Sequence, residues 1–479
     1  MRCLLALSML CGTSFVKKIA KMIAKTNVTK MRDAVLKYDS QVPRYTSYPT
    51  APHFTSTIDD KIYTSHLQAL NSHETLSLYL HIPFCKQMCW YCGCYTKATL
   101  RYAPVEDYAQ ILMREINLVG DLLKQKNHKT THIHFGGGSP TILQPEAFEQ
   151  IMQTIKSKFN IAADAEIAIE VDPRNVDEEK IIAYKKMGIN RVSIGVQDFN
   201  DEVQKAINRE QSFDLVYDCI KIFRKYGIEN INLDLIYGLP KQSVEMVKKN
   251  IDLAMLLKPT RIALFSYAHV LWKKKHMRLI REEDLPDNAS RLLMYDEARK
   301  KLQQENFFAI GLDHFAKADD SMFQAFQSKV LKRNFQGYST DSANNIIGFG
   351  ASAISYLGDC YAQNILDLDE YKKIILSNKL PIAKGVEIGK EDKMRKKIID
   401  ELMCYLEVDL QKICDEFGVA KNYFAAEVGA LQELVADGLV MVDGLKISID
   451  KNAPQICRVV ASKFDQFFVA SLKQHSKIA

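Results

Sequence analysis

Short strand-like runs alternate with helical patterns through the middle of the chain, and this alternation restricts the fold more than any other feature. The runs are residues 76–82, 131–135, 166–171, 191–196, 230–236 and 261–267, with 307–311 as a seventh candidate. Between them, segments such as 105–123 and 178–187 carry apolar residues at helical spacing. Strands separated by helices make a parallel sheet with helices covering it. The expected fold is therefore α/β, a partial or full (β/α) barrel in which ligands gather where the strands end. Six successive strand ends carry polar or glycine-rich residues: the cysteines after 82, Gly136 to Pro140, Glu170 with Asp172, Gln197 with Asp198, Tyr237 to Pro240, and Tyr267 to His269. A barrel would set all six around one cavity.

A chain of 479 residues exceeds one ordinary core. The expected division is an N-terminal extension at 1–30, an N-terminal segment at 31–75, a barrel domain at 76–320, a region completing the active site at 321–389, and a mostly helical domain at 390–479. In the last, helices at 394–405, 410–417 and 422–437 precede a hairpin at 439–442 and 446–449, which resembles a winged helix. An amphipathic helix at about 456–472 closes it.

Net charge is +6, but residues 1–30 contribute Arg2, Lys17, Lys18, Lys21, Lys25 and Lys30 with no acid, and setting these six aside leaves 58 basic residues against 58 acidic ones. The neutral body gives no reason to expect a nucleic-acid partner. Residues 4–16 are apolar but too short to span a bilayer and lack an A-x-A cleavage site. An upstream misassigned start, with Met22 or Met31 as the true one, is preferred to a targeting segment, and no membrane partner is expected.

Of eleven cysteines, four lie within 85–94 while Cys3, Cys11, Cys219, Cys360, Cys404, Cys414 and Cys457 are scattered. A local cluster among isolated thiols points to metal chemistry in a reducing, cytoplasmic setting. Cys85, Cys89 and Cys92 have the spacing CxxxCxxC. Three thiolates can hold three irons of a 4Fe-4S cubane and leave the fourth iron open to a ligand. Zinc is the competing occupant, but it prefers four closed ligands, and no second pair lies at zinc-like spacing.

The cysteine motif after the first strand and GGGSP after the second resemble the radical S-adenosylmethionine (SAM) superfamily. Glycines there let the backbone approach a ligand closely. A narrower resemblance follows from PRYTSYPT, LYLHIPFC with CGC, HFGGGSPT, EIAIEVDPR, SIGVQDFN, Ile207 to Glu210, NLDLIYGLP, GLDHFA, RNFQGYST and GDCYAQN. From about Arg44 to the C-terminus, these strings are similar to the oxygen-independent coproporphyrinogen III oxidases.

The resemblance implies that two propionates of coproporphyrinogen III become vinyl groups with loss of CO2, giving protoporphyrinogen IX. An electron from the cluster, supplied by a small donor protein or reductase, would cleave SAM to a 5'-deoxyadenosyl radical that attacks the unactivated C–H bond. By motif position, the SAM contacts are Tyr79, Tyr91, Gly137, Gly138, Ser139, Glu170, Gln197, Arg209, Asp234, Ala268 and Ile354, undivided between two SAM molecules. Arg209 suits a carboxylate, and Glu170 or Asp234 suits an amino group or ribose hydroxyls. The catalytic candidates are Cys94, functional without being a metal ligand, His81 and Glu170. Arg44 and Arg333 are candidates for pairing with propionates, with ordinary surface pairing as the alternative. The stretch Val270-Leu271-Trp272 departs from the proline-containing continuation expected of the family. A monomeric enzyme is expected. A haem-trafficking paralogue is the rival, but it generally lacks CxC and PRYTSYPT. A redox-sensing DNA regulator is a further alternative, disfavoured by the neutral charge.

Overall fold

The computed structural model describes residues 30–124, 126–469 and 476; most of the N-terminal extension lies outside them. Strand alternation explains how the middle of the chain becomes a wall with one apolar and one polar face. In β1 (Leu76–Ile82) the side chains of Leu76, Leu78, Leu80 and Ile82 are buried in the main core, while Tyr79 and His81 line a cavity on the opposite face. Neighbouring residues of a strand point to opposite faces, so a leucine at every second position fixes which face meets the helices. The same rule holds in β3 (Asn160–Val171), β4 (Arg191–Gln197) and β5 (Asn230–Tyr237). There Ile167, Ile169, Val192, Ile194, Ile231 and Leu233 enter the core, and Glu166, Glu170, Arg191, Ser193, Asn232 and Asp234 face the cavity.

With β2 (Lys129–Gly137) and β6 (Arg261–Ser266), these strands form a parallel run in chain order, β1 to β6. The crossover helices include α1 (Ala103–Leu123), α2 (Pro145–Lys158), α3 (Glu178–Met187), α4 (Phe213–Lys225) and α5 (Val244–Leu256). Side-chain caps mark the starts of α3, α4 and α5: Asp177 accepts from Lys180 N, Ser212 from Leu215 N and Ser243 from Met246 N.

The seventh strand candidate is corrected. Residues Phe308–Ile310 form β7, but only three residues separate it from β8 (His314–Ala316), too few for a parallel crossover. The two pair antiparallel at one edge, β8 lying on β6. The seventh parallel strand is β9 (Asn345–Phe349), which joins the other side of β1. An antiparallel meander, β10 (Ile354–Leu357), β11 (Cys360–Asn364) and β12 (Ile382–Glu387), extends from it. The sheet runs β12-β11-β10-β9-β1-β2-β3-β4-β5-β6-β8-β7 and stays open between its end strands. The barrel is partial.

A second apolar cluster joins the helices Lys390–Tyr405 and Leu410–Phe417 to Val35, Val42, Tyr45 and Tyr48 from the start of the described chain. Arg458 Nε donates to Pro43 O at 3.1 Å and Arg333 Nε to Tyr45 O at 3.3 Å, so both pin the PRYTSYPT segment. Two helix expectations change. The span 422–437 is two short helices, Ala425–Gly429 and Gln432–Ala436, broken where a poor helix former, Gly429, precedes the fully buried Leu431. The closing helix is Cys457–Lys463; beyond it Asp465 accepts from Phe467 N at 2.9 Å and from the Tyr45 hydroxyl at 3.1 Å, which commits that turn to docking the N-terminal segment. Residues 470–475 lie outside the described chain. Among the described residues, no helix is long and apolar enough to cross a membrane.

At the start of the strands, Asp320 accepts from Arg261 Nη2 at 2.6 Å and lies 3.5 Å from Arg191 Nη1, which also faces Glu166. Asp320→Ala would leave two buried guanidinium groups with one carboxylate between them. It is expected to cost about 3–5 kcal/mol of folding stability in urea titrations.

Candidate active site

The loop after β1 is held to the end of β2. Gly138 N donates to Ile82 O at 2.9 Å and Ser139 N to Phe84 O at 2.8 Å. A Cβ on Gly138 would stand 2.5 Å from Thr96 Oγ1 and 2.7 Å from Phe84 O, and Gly137 has φ +112° with the His81 ring 2.7 Å from where its Cβ would be. Only glycine fits either place. On the other flank, Trp90 N donates to Ile207 O at 3.0 Å, tying the cysteine loop to the segment after β4.

These ties bring Cys85, Cys89 and Cys92 to the wall of a cavity of about 360 Å3. Cys94, Tyr91, Gly137, Gly138, Ser139, Glu170, Gln197, Arg209 and Asp234 share that wall. Tyr79, His81 and Ile354 line a larger cavity of about 1500 Å3. Gly93, Gln336 and Asp341 belong to both walls, so the two spaces adjoin. Ala268, just beyond β6, lines neither.

The sulfurs lie among donors. Thr96 Oγ1 donates to Cys85 Sγ at 3.3 Å, and Cys89 Sγ accepts from Arg209 Nη1 at 3.5 Å and Arg174 Nη2 at 3.6 Å. Guanidinium groups stabilise thiolates and offset the negative charge of a thiolate-ligated cluster. Among the described residues, no three His, Cys, Asp or Glu side chains gather tightly enough to hold a single ion. A cubane needs a wider frame, since each thiolate binds a different iron. Three sulfurs beside two cations and a hydroxyl donor fit a 4Fe-4S group.

Arg209 is buried and makes three contacts. Besides Cys89, its Nη2 donates to Gly195 O at 2.6 Å and its Nη1 lies 3.5 Å from Asp172 Oδ2. Burial works against its charge, but facing Tyr91, Asp172 and Cys89 outweigh burial and raise its pKa. Asp172 also accepts from Arg174 at 2.8 Å. Asp172 was expected at a strand end facing the cavity, though without a role, whereas Arg174 and Thr96 went unrecognised; Arg174, in EVDPR, follows Glu170 and Asp172 at period 2, which was the available signal.

Two acids on β3 and β5, with β4 between them, differ. Burial pushes Glu170 up, but hydrogen bonds from His134 Nε2 at 3.2 Å and Gly137 N at 3.1 Å overcome it and hold the carboxyl below its usual range. Asp234 is pushed up to about 7 by burial and then by the charge of Glu170, despite donors from Ser193 at 3.0 Å and Asn232 at 2.8 Å. Glu170 is thus the carboxylate suited to a cation, and Asp234 titrates near neutrality.

His81 uses both ring nitrogens, Nε2 facing Tyr95 O at 2.9 Å and Nδ1 the Tyr79 hydroxyl at 3.1 Å, and burial lowers its pKa. Its geometry is that of a neutral positioning group. Cys94 lies beside Cys92 on the wall of the smaller cavity. Arg333 faces the larger cavity, lies 4.4 Å from the Tyr338 ring and donates to the backbone of residues 44 and 45, while its buried Nη1 has no hydrogen-bond partner. Arg44 is exposed and reaches Ser476 Oγ at 3.4 Å. The structure therefore gives Arg333 a pinning task that the sequence did not suggest, and leaves Arg44 off the cavity wall.

The oxygen-independent coproporphyrinogen III oxidase of Bradyrhizobium diazoefficiens is 41% identical over 442 residues, covering 92% of this chain and 97% of that protein. This chain belongs to the oxygen-independent coproporphyrinogen III oxidase family. Another family member, from Helicobacter pylori, is 37% identical over 450 residues, covering 92% and 97% of the two chains. A solved family structure, the coproporphyrinogen III oxidase HemN from Escherichia coli, described as a radical SAM enzyme, matches with TM-score 0.85 and 34% identity over 90% of this chain and 100% of that one. The radical SAM superfamily model matches residues 79–254, which run from the inward face of β1 to α5. Family membership implies a 4Fe-4S cluster and SAM, and the residues around Cys85, Cys89 and Cys92 fit both.

Proposed function

We propose that this chain oxidatively decarboxylates two propionates of coproporphyrinogen III to vinyl groups, giving protoporphyrinogen IX in porphyrin biosynthesis. The observation that carries this reading is the meeting of three cysteines, the glycine segment, Glu170, Asp234 and Arg209 in one cavity that adjoins a second, larger one. When bound, the cluster would supply the electron that cleaves SAM, providing a radical able to take hydrogen from a propionate β-carbon, after which the substrate must lose CO2 and give one further electron to an external acceptor to become the vinyl group.

The protein's own part is placement. Gly137 and Gly138 leave room for close backbone approach, Arg209 offers its fork to a carboxylate, and Glu170 offers a negative charge to an ammonium. The larger cavity takes the macrocycle, with Tyr79 and His81 on the shared side, and sequesters reacting atoms from water. Tyr79 and Ile354 lie on this larger wall, apart from the other SAM candidates, which supports two SAM molecules in adjoining places. The reading includes a monomeric cytoplasmic enzyme supplied by an electron-donor protein, with 76–320 as its catalytic barrel, 321–389 completing the site and 390–479 packing against 31–75.

Asp234 gives this reading a pH dependence. As a carboxylate it accepts hydroxyl hydrogen bonds; protonated, it loses that capacity. Because its pKa is pushed up to about 7, SAM affinity of the cluster-loaded protein is expected to hold above that pH. Below it, affinity falls by up to about tenfold per pH unit. Asp234→Asn should bind weakly with a flat profile, as measured by equilibrium dialysis.

The direct test is an anaerobic incubation of the cluster-loaded protein with coproporphyrinogen III, SAM and dithionite. Protoporphyrinogen IX, CO2, methionine and 5'-deoxyadenosine are the expected products. Absence of protoporphyrinogen together with tight haem binding would overturn the reading in favour of haem delivery.

A further inference from the structure

Outside residues 1–30 charge is balanced overall, yet two stretches that meet in the fold carry cations and no acid. Residues 83–101, which carry the cysteines, include Lys86, Lys97 and Arg101 and no acid. Residues 268–281, after β6, include Lys273, Lys274, Lys275, Arg278 and Arg281 and again no acid. The two stretches are joined directly. Lys274 Nζ donates to Cys94 O at 2.7 Å, and His276 Nε2 lies 2.8 Å from Cys92 O. Beneath them Ile280 and Tyr267 share an apolar cluster with Trp90 and Tyr91. The second loop therefore rests on the backbone of the cysteine loop itself.

The outward-facing groups have no counterpart in the fold. Lys86, Lys97, Arg101, Lys273, Lys275 and Arg278 are exposed, and among the described residues none has a side-chain ion pair. Arg281 differs, pairing with Glu283 at 2.6 Å. Glu282, Glu283 and Asp284 follow directly, and Glu282 turns back to lie 3.7 Å from His269 Nε2. Trp272 and Leu279 are 45% and 56% exposed amid these cations. No residue of 268–281 lines either cavity, so these charges do not face the space assigned to the substrate. Trp272 belongs to the stretch that departs from the family pattern.

We propose that the face made by residues 86–101 and 268–281 is the docking surface for a small acidic one-electron carrier protein. This rests on the proposed radical chemistry, which needs one electron brought to the cysteine loop from outside. The carrier's reduced cofactor loses one electron and the cluster gains it, with no bond or proton transferred. Electron transfer falls steeply with distance, so the carrier must sit against the loop that holds the cluster. Unpaired cations around an exposed tryptophan suit a transient interface with an acidic partner: the charges steer encounter and the aromatic ring anchors it.

The test uses the cluster-loaded full chain and, as probe, a flavodoxin of net negative charge. Binding by biolayer interferometry is expected in the wild type, and raising salt from about 50 to about 300 mM should weaken it as screening shortens. The charge reversal K273E/K275E/R278E should weaken binding by about tenfold or more and slow reduction of the cluster by flavodoxin in stopped flow. The neutral triple K273Q/K275Q/R278Q should lie between, and W272A should weaken binding without changing its salt dependence. With dithionite as reductant, 5'-deoxyadenosine formation should match the wild type in all of them. Equal flavodoxin binding by the charge-reversed variant, or no wild-type binding while phosphatidylglycerol vesicles are bound, would overturn the proposal. So would an equal loss of the dithionite-driven reaction, because the loop would then shape the cluster site and not receive a partner. Charge-dependent docking without any protoporphyrinogen formation would leave the surface standing and sink the substrate reading alone.

Discussion

Cys89→Ala is expected to lose the broad 4Fe-4S absorbance near 400 nm and the formation of 5'-deoxyadenosine together, bringing both to background. Cys89 is the buried member of the trio and the sulfur that faces two guanidinium groups. Two remaining thiolates cannot fix three irons of a cubane. Arg209 and Arg174 would keep Asp172 as their anion, so the fold should survive, and far-UV circular dichroism with a thermal melt checks that it does. Cys94→Ala is the contrasting experiment. Its sulfur lies beside Cys92 on the same cavity wall, but a site that keeps one iron open has no need of a fourth thiolate. Iron content and absorbance should persist in that variant while product formation falls. Loss of all iron from Cys94→Ala would show that the ligand set had been assigned wrongly.

Arg209→Leu should reduce SAM affinity by about a hundredfold or more, because a buried charge-assisted fork is lost where a ligand carboxylate would pair. The cluster should still assemble, since all three sulfurs remain. Its midpoint potential should move to more negative values: a cation 3.5 Å from Cys89 Sγ favours the reduced, more negative cluster, and leucine removes it. Arg209→Lys keeps a charge without the planar fork, so it should recover much of the potential and little of the affinity. Equal effects of leucine and lysine on the potential would show that charge at this position does not govern it. Isothermal titration with SAM and a spectroelectrochemical titration read the two quantities separately.

Much of the site was legible because strand ends in a parallel sheet converge. The bounds 76–82 and 178–187 agree with the structure, where leucines alternate with Ser77, Tyr79 and His81 along the strand and Asp177 and Gly188 cap the helix. Cys85, Cys89 and Cys92, grouped by their spacing in the sequence, do share one cavity wall. What escaped the sequence depends on neighbours distant along the chain. That β9 pairs with β1 follows from how far the sheet curves, which no local pattern records. Asp172 and Arg174 matter because Arg209 and Cys89 arrive beside them from other loops. Arg333, a candidate for pairing with propionate that does line the larger cavity, also donates to the backbone of Arg44 and Tyr45, a task visible only once the two segments meet. The closing helix was drawn too long because apolar spacing continued past Lys463, whereas Asp465 takes its hydrogen bonds from Phe467 and Tyr45.

The pairing of β1 with β9 also bears on how the molecule is made. β1 leaves the ribosome early and β9 only after most of the chain, so until then the strand leading into the cysteines has a bare side. An unpaired edge rich in leucine invites pairing with other chains. Translation products that stop short of residue 345 should therefore precipitate, even though Cys85, Cys89, Cys92 and Cys94 have already been synthesised. Late-made strands thus act as the guard for early-made chemistry.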